Sequence, residues 1–488
     1  MPALWRTVIL GQYRPVKKLT MAIERTSKLP VPGVTDLRVT DYVPPSSILQ
    51  ALDDWSTTPA AKSNSMALSL SIRAPLSFKD LTRWINSMGI PPSLRSLTMQ
   101  IGTWGELPLA EEEAFIALWK AFQRAGTVQG SPPRPQVTEC PLESLTLSRV
   151  AMLAVHRVSF PRLLTLRLLS VRGQLETGIL CSILRNCPCL EHFELEYSET
   201  IFRTHIQVPT CTLPGLRTLR LTGPFAVNPF DIIVAPRLEV LSLRQVPRAV
   251  CRSLLNAWSP GRHSASPPLV ELRIVQCGFK PEVLSKVLEC VPTLRTLQIS
   301  GSGENINPLV QALAGLGPLA PRDPLVPGAP ALPSATDASS SGGGRGRDGP
   351  AGENKILLCT RLEHVDFSSS PELKGVPIRD LVKSRLPPET ETEAGAGEGV
   401  TSSEGAGALR MEGGGGGATM EGDTKRPEST HLLCAKHATA SSSTVPIRSI
   451  IMDGCPKVEP ELLPWLRTKV SVSCLFEIKA SLKRRRGL

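Results

Sequence analysis

Residues 142–147 read Leu-Glu-Ser-Leu-Thr-Leu, and this phrase of apolar first, fourth and sixth residues returns six more times before residue 300. The seven copies begin at Leu142, Leu163, Leu190, Leu216, Leu238, Leu269 and Leu294. In a strand, alternate side chains point to opposite faces, so the fourth and sixth residues of each phrase share one face. The stretch from Leu142 to Ile299 is therefore predicted to hold seven short strands, each with one apolar face.

The spacing of the phrase predicts how these strands are joined. A leucine-led phrase that recurs roughly every 20–29 residues is typical of leucine-rich repeats, in which a strand is followed by a return segment. Two return helices are visible as apolar stripes at helical spacing, the second opened by Pro281. The stripes are Ile179, Leu180, Ile183, Leu184 and Val283, Leu284, Val287, Leu288. We therefore predict an α/β solenoid with a curved parallel sheet inside and helices outside.

The N-terminal part of the chain carries a weaker version of the pattern. Residues 136–316 hold the regular repeats, whereas residues 31–135 hold degenerate ones. The degenerate phrases are Val34-Leu37-Val39, Leu68-Leu70-Ile72 and Leu94-Leu97-Met99. Apolar residues at helical spacing predict helices over residues 46–55, 76–88 and 111–124. We expect these repeats to follow an N-terminal helical cap.

Two tracts rich in Gly, Pro, Ala and Ser interrupt the array, at residues 317–354 and 387–444. Neither can bury enough apolar surface to offset the entropy of ordering, so both are predicted to be disordered insertions. Closing a longer loop adds only about 0.6 kcal/mol for each doubling of its length. The tracts are therefore predicted to be loops within one array and not domain boundaries.

The phrase resumes after each insertion. Leu362-Val365-Phe367 falls in a repeat at residues 355–386, and Ile447-Ile450-Met452 opens a final repeat at residues 445–478. Val470, Val472 and Cys474 alternate as a closing strand that would cover the last edge of the sheet. Residues 479–488 form a basic tail.

Composition limits the function of the chain. Its 488 residues carry a formal net charge of +11, which permits acidic partners. Without interleaved aromatic residues or a groove, nucleic acid is not an expected partner. The basic run at 483–486 is interpreted as a solvated tail, the alternative being a nuclear-import or nucleic-acid-binding patch. No apolar run reaches the roughly 18 residues that a bilayer requires, and no secretory signal is recognisable. We expect a soluble protein of the cytoplasm or nucleus with no membrane contact.

Chemistry-bearing motifs are missing from the sequence. It contains no His-Glu-x-x-His, no Gly-x-Ser-x-Gly and no phosphate-binding glycine loop between a strand and a helix. Cys277 and Cys455 each lie eight residues after the first apolar residue of a phrase, where the repeat pattern takes a buried Asn or Cys. We expect reduced structural cysteines, no metal, no cofactor and no enzymatic activity.

The N-terminus resembles the end of an F-box. Pro2, Leu4, Trp5 and Val8 fit the last helix of that motif, and residues 23–30 resemble the linker to the repeats in the F-box/leucine-rich-repeat proteins of mushroom-forming fungi. The front of the box, which grips the Skp-type adaptor, would precede Met1. The resemblance implies an SCF-type ubiquitin ligase subunit, with Leu4 and Trp5 as a remnant of the adaptor contact. Alternatively, Trp5 is a core residue of an N-terminal cap.

A row of polar residues follows the repeats on the face opposite the apolar pair. The candidate partner-binding residues are Arg167, Glu194, Arg220, Arg244, Arg273, Gln298 and Asp366. Their charges either neutralise one another across neighbouring strands or form a face that recognises a protein. The sequence thus leaves two functions open, a substrate receptor of an SCF-type ligase or a non-catalytic interaction scaffold without ligase docking.

Overall fold

The computed structural model describes fifteen segments of the chain. They are residues 7–10, 15–26, 35–40, 45–56, 68–73, 94–100, 117, 142–149, 159–171, 177–197, 210–224, 229–258, 267–316, 358–387 and 444–475. All of them except Leu386 and Pro387 belong to one compact unit formed by Met1–Arg385 and Thr444–Leu488. The predicted helix at 76–88, the predicted helix at 111–124 apart from Ala117, and nearly all of both predicted insertions lie outside the described residues.

The described strands form one long parallel sheet of fourteen strands in chain order, with two short strands paired apart from it. The fourteen are β1 (Thr7–Leu10), β2 (Asp36–Val39), β3 (Leu68–Arg73), β4 (Leu94–Gln100), β5 (Ser144–Ser148), β6 (Thr165–Val171), β7 (His192–Tyr197), β9 (Thr218–Thr222), β11 (Val240–Arg244), β12 (Glu271–Val275), β13 (Thr296–Ser300), β14 (His364–Asp366), β15 (Ser449–Ile451) and β16 (Ser471–Ser473). The separate pair is β8 (Cys211–Thr212) and β10 (Ile233–Val234). The predicted α/β class and parallel sheet are therefore confirmed.

The register of the sheet stacks the seven central phrases on one another. Their fourth residues form one row, Leu145, Leu166, Phe193, Leu219, Leu241, Leu272 and Leu297. No member of this row is more than 1 % exposed. Burying a side chain of this size contributes about 1.5–3 kcal/mol, so the row is a large part of what holds neighbouring strands together.

Eight helices are described between the strands. They are α1 (Pro15–Thr26), α2 (Pro45–Ser56), α3 (Thr177–Arg185), α4 (Arg248–Trp258), α5 (Pro281–Glu289), α6 (Asn307–Leu313), α7 (Gly375–Lys383) and α8 (Leu462–Lys469). Helix α2 packs on α1, and α4 to α8 pack in succession. The predicted stripe of α3 is buried throughout, and Trp55 of α2 is fully buried. These helical stripes and the apolar rows of the sheet form a common core.

A turn of fixed geometry ends most of the described strands. The residue two positions after the second buried apolar residue has a positive φ, which side chains other than glycine adopt at a cost. The set comprises Arg149, Ser170, Gly223, Gln245, Gln276, Gly301, Ser369 and Gly454. In several of them the amide donates to the next strand, as Gln276 does to the Ser300 carbonyl at 2.7 Å. The turn therefore continues the hydrogen-bonded ladder beyond the strand.

The sheet continues across both insertions. Strand β14 pairs with β13, and β15 pairs with β14. Helices on either side of the first insertion are joined by Asn307, whose side chain binds the Glu372 carbonyl at 2.7 Å and the Lys374 amide at 2.9 Å. The Gly375 amide in turn donates to the Glu459 carboxylate across the second insertion, at 2.9 Å. The repeats before and after the insertions thus belong to one array.

The buried guanidinium of Arg385 joins the ends of the first insertion. It donates to the carbonyls of Leu313, Leu358 and Cys359 at 3.3, 2.6 and 2.8 Å and is only 1 % exposed. Its Nε has no hydrogen-bond partner, and burial lowers its pKa from the ordinary value. Three carbonyl dipoles, one at the C-terminus of α6, stand in for a carboxylate around this charge.

The N-terminus departs from the expected helical cap. Thr7–Leu10 is a strand that pairs in parallel with β2, so Val8 lies in the sheet and not in the last helix of an F-box. The helix of this region spans Pro15–Thr26 and ends inside the predicted linker. Strand β1 is favoured because Val8 and Leu10 extend the apolar rows of the sheet and become buried there. Leu4 and Trp5 lie outside the described residues.

Candidate functional site

The polar face of the sheet is the face opposite the row from Leu145 to Leu297. Its central row holds six of the seven predicted site residues in register, in the order Arg167, Glu194, Arg220, Ser242, Arg273, Gln298 and Asp366. The seventh, Arg244, lies two residues beyond Ser242 on the same strand and the same face. The structure therefore brings all seven residues onto one surface, on the strands from β6 to β14.

Both ends of this row are paired within the sheet. On β6 and β7, Arg167 Nε lies 3.4 Å from Glu194 Oε2. On β12, Arg273 pairs with Glu271 of the same strand. Gln298 Nε2 then donates to Asp366 Oδ2 at 2.9 Å. The two arginines are about half exposed (51 % and 47 %), so each ion pair contributes at most about 1 kcal/mol.

The centre of the row differs from its ends. Arg220 and Arg244 are exposed, and neither forms an ion pair or a side-chain hydrogen bond with another described residue. Glu194 stands opposite Arg220 in the register, yet its carboxylate is engaged by Arg167 on the other side. The middle of the polar face thus presents two positive charges that the sheet leaves uncompensated.

Sequence reasoning missed a second row of charges, here called the edge row. It consists of the residues that directly follow the first apolar residue of a phrase, and its charged members are Arg95, Glu143, Glu191, Arg217, Glu239, Arg295, Glu363 and Arg448. Opposite charges meet between neighbouring repeats, with 3.2 Å between Arg217 and Glu239 and 3.1 Å between Arg448 and Glu363. The sequence did contain this pattern: the charged residues occupy one fixed position in the phrase, and positive and negative residues largely alternate from one repeat to the next.

Cys277 and Cys455 are buried at the strand-to-helix turn, as their place in the phrase predicted. Cys277 Sγ lies 3.2 Å from the Val275 carbonyl, and Cys455 Sγ lies 3.1 Å from the Phe367 carbonyl of the preceding repeat. Val246, Ser302 and Ser370 occupy the same position in other repeats and are also buried. This position therefore takes small side chains and not only Asn or Cys.

Other features of the described residues add little chemistry. A cavity of about 50 Å³ lies beside Phe230 and Trp258, which is room for a few water molecules at most. No group of three or more His, Cys, Asp or Glu side chains that could hold a metal ion occurs in the part of the chain that the structure describes. In the same part, no helix has the length and apolar character needed to cross a bilayer. No protein-family model matches the chain, and no curated protein sequence matches it.

Proposed function

We propose that this chain is a leucine-rich-repeat protein that recognises a protein partner on its polar face and carries no active site. The repeat assignment is supported by the seven phrases stacked in register and by the positive-φ turn that follows the strands. It is also supported by the buried residue eight positions into six of the phrases, namely Val171, Val246, Cys277, Ser302, Ser370 and Cys455. These three features recur together, whereas an unrelated parallel sheet has no reason to share them.

The observation that carries the proposal is the uncompensated charge at Arg220 and Arg244. If the polar row served only to neutralise the sheet, each arginine would be expected to be ion-paired, as Arg167 and Arg273 are. Exposed arginines without partners do not stabilise the fold, but their planar, five-donor guanidinium groups suit recognition of another protein. The centre of the polar face is therefore the most suitable surface for a partner.

Site-specific photo-cross-linking tests this proposal in cells that express the whole chain. A benzophenone amino acid placed at Ser242 would lie in the middle of the polar face, and the same group at Arg252 would lie on exposed helix α4. We expect discrete protein adducts from Ser242 and not from Arg252. Equal labelling from both positions, or none from Ser242, would reject the polar face as the binding surface.

The more specific form of the proposal is a substrate receptor of an SCF-type ubiquitin ligase in the cytoplasm or nucleus. It is supported by the resemblance of Pro2, Leu4 and Trp5 to the end of an F-box and by the order of the parts that follow. Val8 lies in strand β1 and not in a helix, so the resemblance to an F-box helix extends only over the residues before Thr7. Co-purification of a Skp-type adaptor with a chain extended upstream of Met1, and not with the present chain, would support the receptor. Partner capture without the adaptor would support the plain scaffold.

A further inference from the structure

The uncompensated arginines lie in a bounded window on the polar face. On one side, Glu194 of β7 is paired with Arg167, and on the other, Glu271 of β12 is paired with Arg273. Three strand spacings separate β7 from β12, which at 4.8 Å each is about 14 Å. The window therefore holds β9 and β11 and their two free guanidinium groups.

Three of the four acidic groups that border the window are ion-paired. Glu194 and Glu271 are paired as described above, and Glu239 of the edge row is paired with Arg217. The fourth, Glu196 at the end of β7, accepts a hydrogen bond from Ser170 at 3.1 Å. The window itself contains small side chains at Thr218, Thr222 and Ser242, with Val240 at the start of β11. Small side chains leave the guanidinium groups accessible from solvent.

The positions of the two arginines set the spacing of a ligand. They lie on neighbouring strands and are offset by two residues, because Arg220 pairs with Ser242 and Arg244 with Thr222. With a strand spacing of 4.8 Å and a rise of 3.3 Å per residue, their Cα atoms are about 8 Å apart. In an extended peptide, side chains two residues apart point the same way at about 6.6 Å. Two carboxylates with one residue between them therefore match this pair.

We propose that Arg220 and Arg244 bind an acidic segment of the partner protein, with one carboxylate held by each guanidinium. This inference rests on the proposed function and specifies the chemistry of the partner. Each contact would be a charge-assisted and, in the favourable geometry, bidentate hydrogen bond. A nucleic acid fits less well, since its continuous phosphate backbone would run past the carboxylates of Glu194 and Glu271 at the borders of the window.

Fluorescence anisotropy with short labelled peptides tests the inference on the full chain. The probe contains Glu-Ala-Glu, and its controls contain Gln-Ala-Gln or Lys-Ala-Lys in the same flanking sequence, with an oligothymidylate as the nucleic-acid arm. We expect binding of the acidic peptide alone, weakening as salt is added. In the double variant Arg220→Gln/Arg244→Gln the affinity should fall at least tenfold.

The matched control is Arg237→Gln/Arg252→Gln. It removes the same charge from the same part of the array, since both side chains are exposed and Arg252 lies on helix α4. Its affinity should stay within twofold of wild type, and the melting curves of both double variants should match that of wild type. Equal affinity of wild type for the acidic and neutral peptides, tighter binding of the oligonucleotide, or an equal loss in both double variants would overturn the inference. If the peptide inference fails but the probe at Ser242 still cross-links to a protein, the proposed function remains supported and only the acidic nature of the partner is rejected.

Discussion

Three glycines give the sharpest test of the backbone geometry that ends the strands. Gly223 has φ +119°, and a Cβ added there would overlap the carbonyl oxygen of Tyr197 on the neighbouring strand. Gly454 occupies the equivalent turn of a later repeat with φ +73°, but its nearest neighbour would be Ser369 Oγ at 3.7 Å. Gly178, in helix α3, has no atom within 4 Å of that position. Alanine at Gly454 therefore tests backbone strain alone, and alanine at Gly223 tests strain together with a collision. Alanine at Gly178 introduces neither.

The expected magnitudes follow from these surroundings. Gly454→Ala should lower the free energy of unfolding by about 1 kcal/mol, the cost of placing an ordinary residue in the left-handed region. Gly223→Ala should lower it by about 3 kcal/mol or more, because a backbone carbonyl must move in addition to the strain. Gly178→Ala should raise it by about 0.5 kcal/mol, since alanine loses less conformational entropy on forming a helix.

Urea denaturation followed by circular dichroism measures all three variants against wild type. With an unchanged dependence on denaturant, the midpoints should rank Gly178→Ala highest, then wild type, Gly454→Ala and Gly223→Ala. If Gly223→Ala were as stable as Gly454→Ala, the close approach of the turn to Tyr197 would be wrong. The register between β7 and β9, on which the position of Arg220 depends, would then be wrong as well.

Two further predictions concern buried groups. Arg385→Met should lower the free energy of unfolding by about 3 kcal/mol in a urea titration, because three buried carbonyls lose a charged donor. The control Arg361→Met, at an exposed position, should change it little. Equal effects of the two substitutions would show that Arg385 does not hold the ends of the first insertion together. Burial raises the pKa of both Cys187 and Cys359 from 9.0 to about 12. Between pH 9 and pH 12 the thiols of the unfolded chain release protons that the folded chain keeps. The free energy of unfolding therefore falls as the pH rises, by about 1.4 kcal/mol per pH unit for each cysteine. Thermal melts from pH 8 to pH 10 should show this loss. The double variant Cys187→Ala/Cys359→Ala should reduce the slope by the share of these two thiols, while the other buried cysteines keep theirs; an unchanged slope would contradict the burial.

The sheet was predictable because its information is local and repeated. Each phrase places two apolar residues on one face of a strand, and seven copies make the common register the only arrangement that buries them all. The N-terminal strand was not predictable in this way, since Thr7–Leu10 has only four residues and its run of three apolar residues fits a helix as well as a strand. Its identity depends on pairing with β2, some thirty residues away in the chain.

The positive-φ turn escaped prediction for a different reason. Glycine marks the turn at Gly223, Gly301 and Gly454, but Gln245 and Gln276 occupy it in the intervening repeats. Each of these glutamines tolerates a strain of about 1 kcal/mol because the amide gains a hydrogen bond to the next strand. Residue type alone therefore does not identify this position, although its backbone conformation is the same in these repeats.

The polar face was predictable as a row but not as a pattern of pairing. The phrase gives the position of each charged residue, whereas the pairing depends on which of two neighbouring strands a side chain leans towards. Glu194 has an arginine on either side in the register and engages only Arg167. The sequence offered Arg220, Arg244 and Arg273 alike as candidate partner-binding residues, but Arg273 is paired with Glu271. Only the structure distinguishes it from the unpaired Arg220 and Arg244.

The described residues that flank both insertions lie in connections between a helix and the next strand. The last described residue before the first insertion, Leu316, follows α6, and the second insertion follows α7, so both lie between a helix and the next strand. Arg385 ties the carbonyl of Leu313 to that of Leu358, which fixes the ends of the first insertion whatever its length. Because loop closure varies only with the logarithm of length, such segments can change with little effect on the sheet. The polar face consists of strand residues, so its geometry does not depend on the length of these connections.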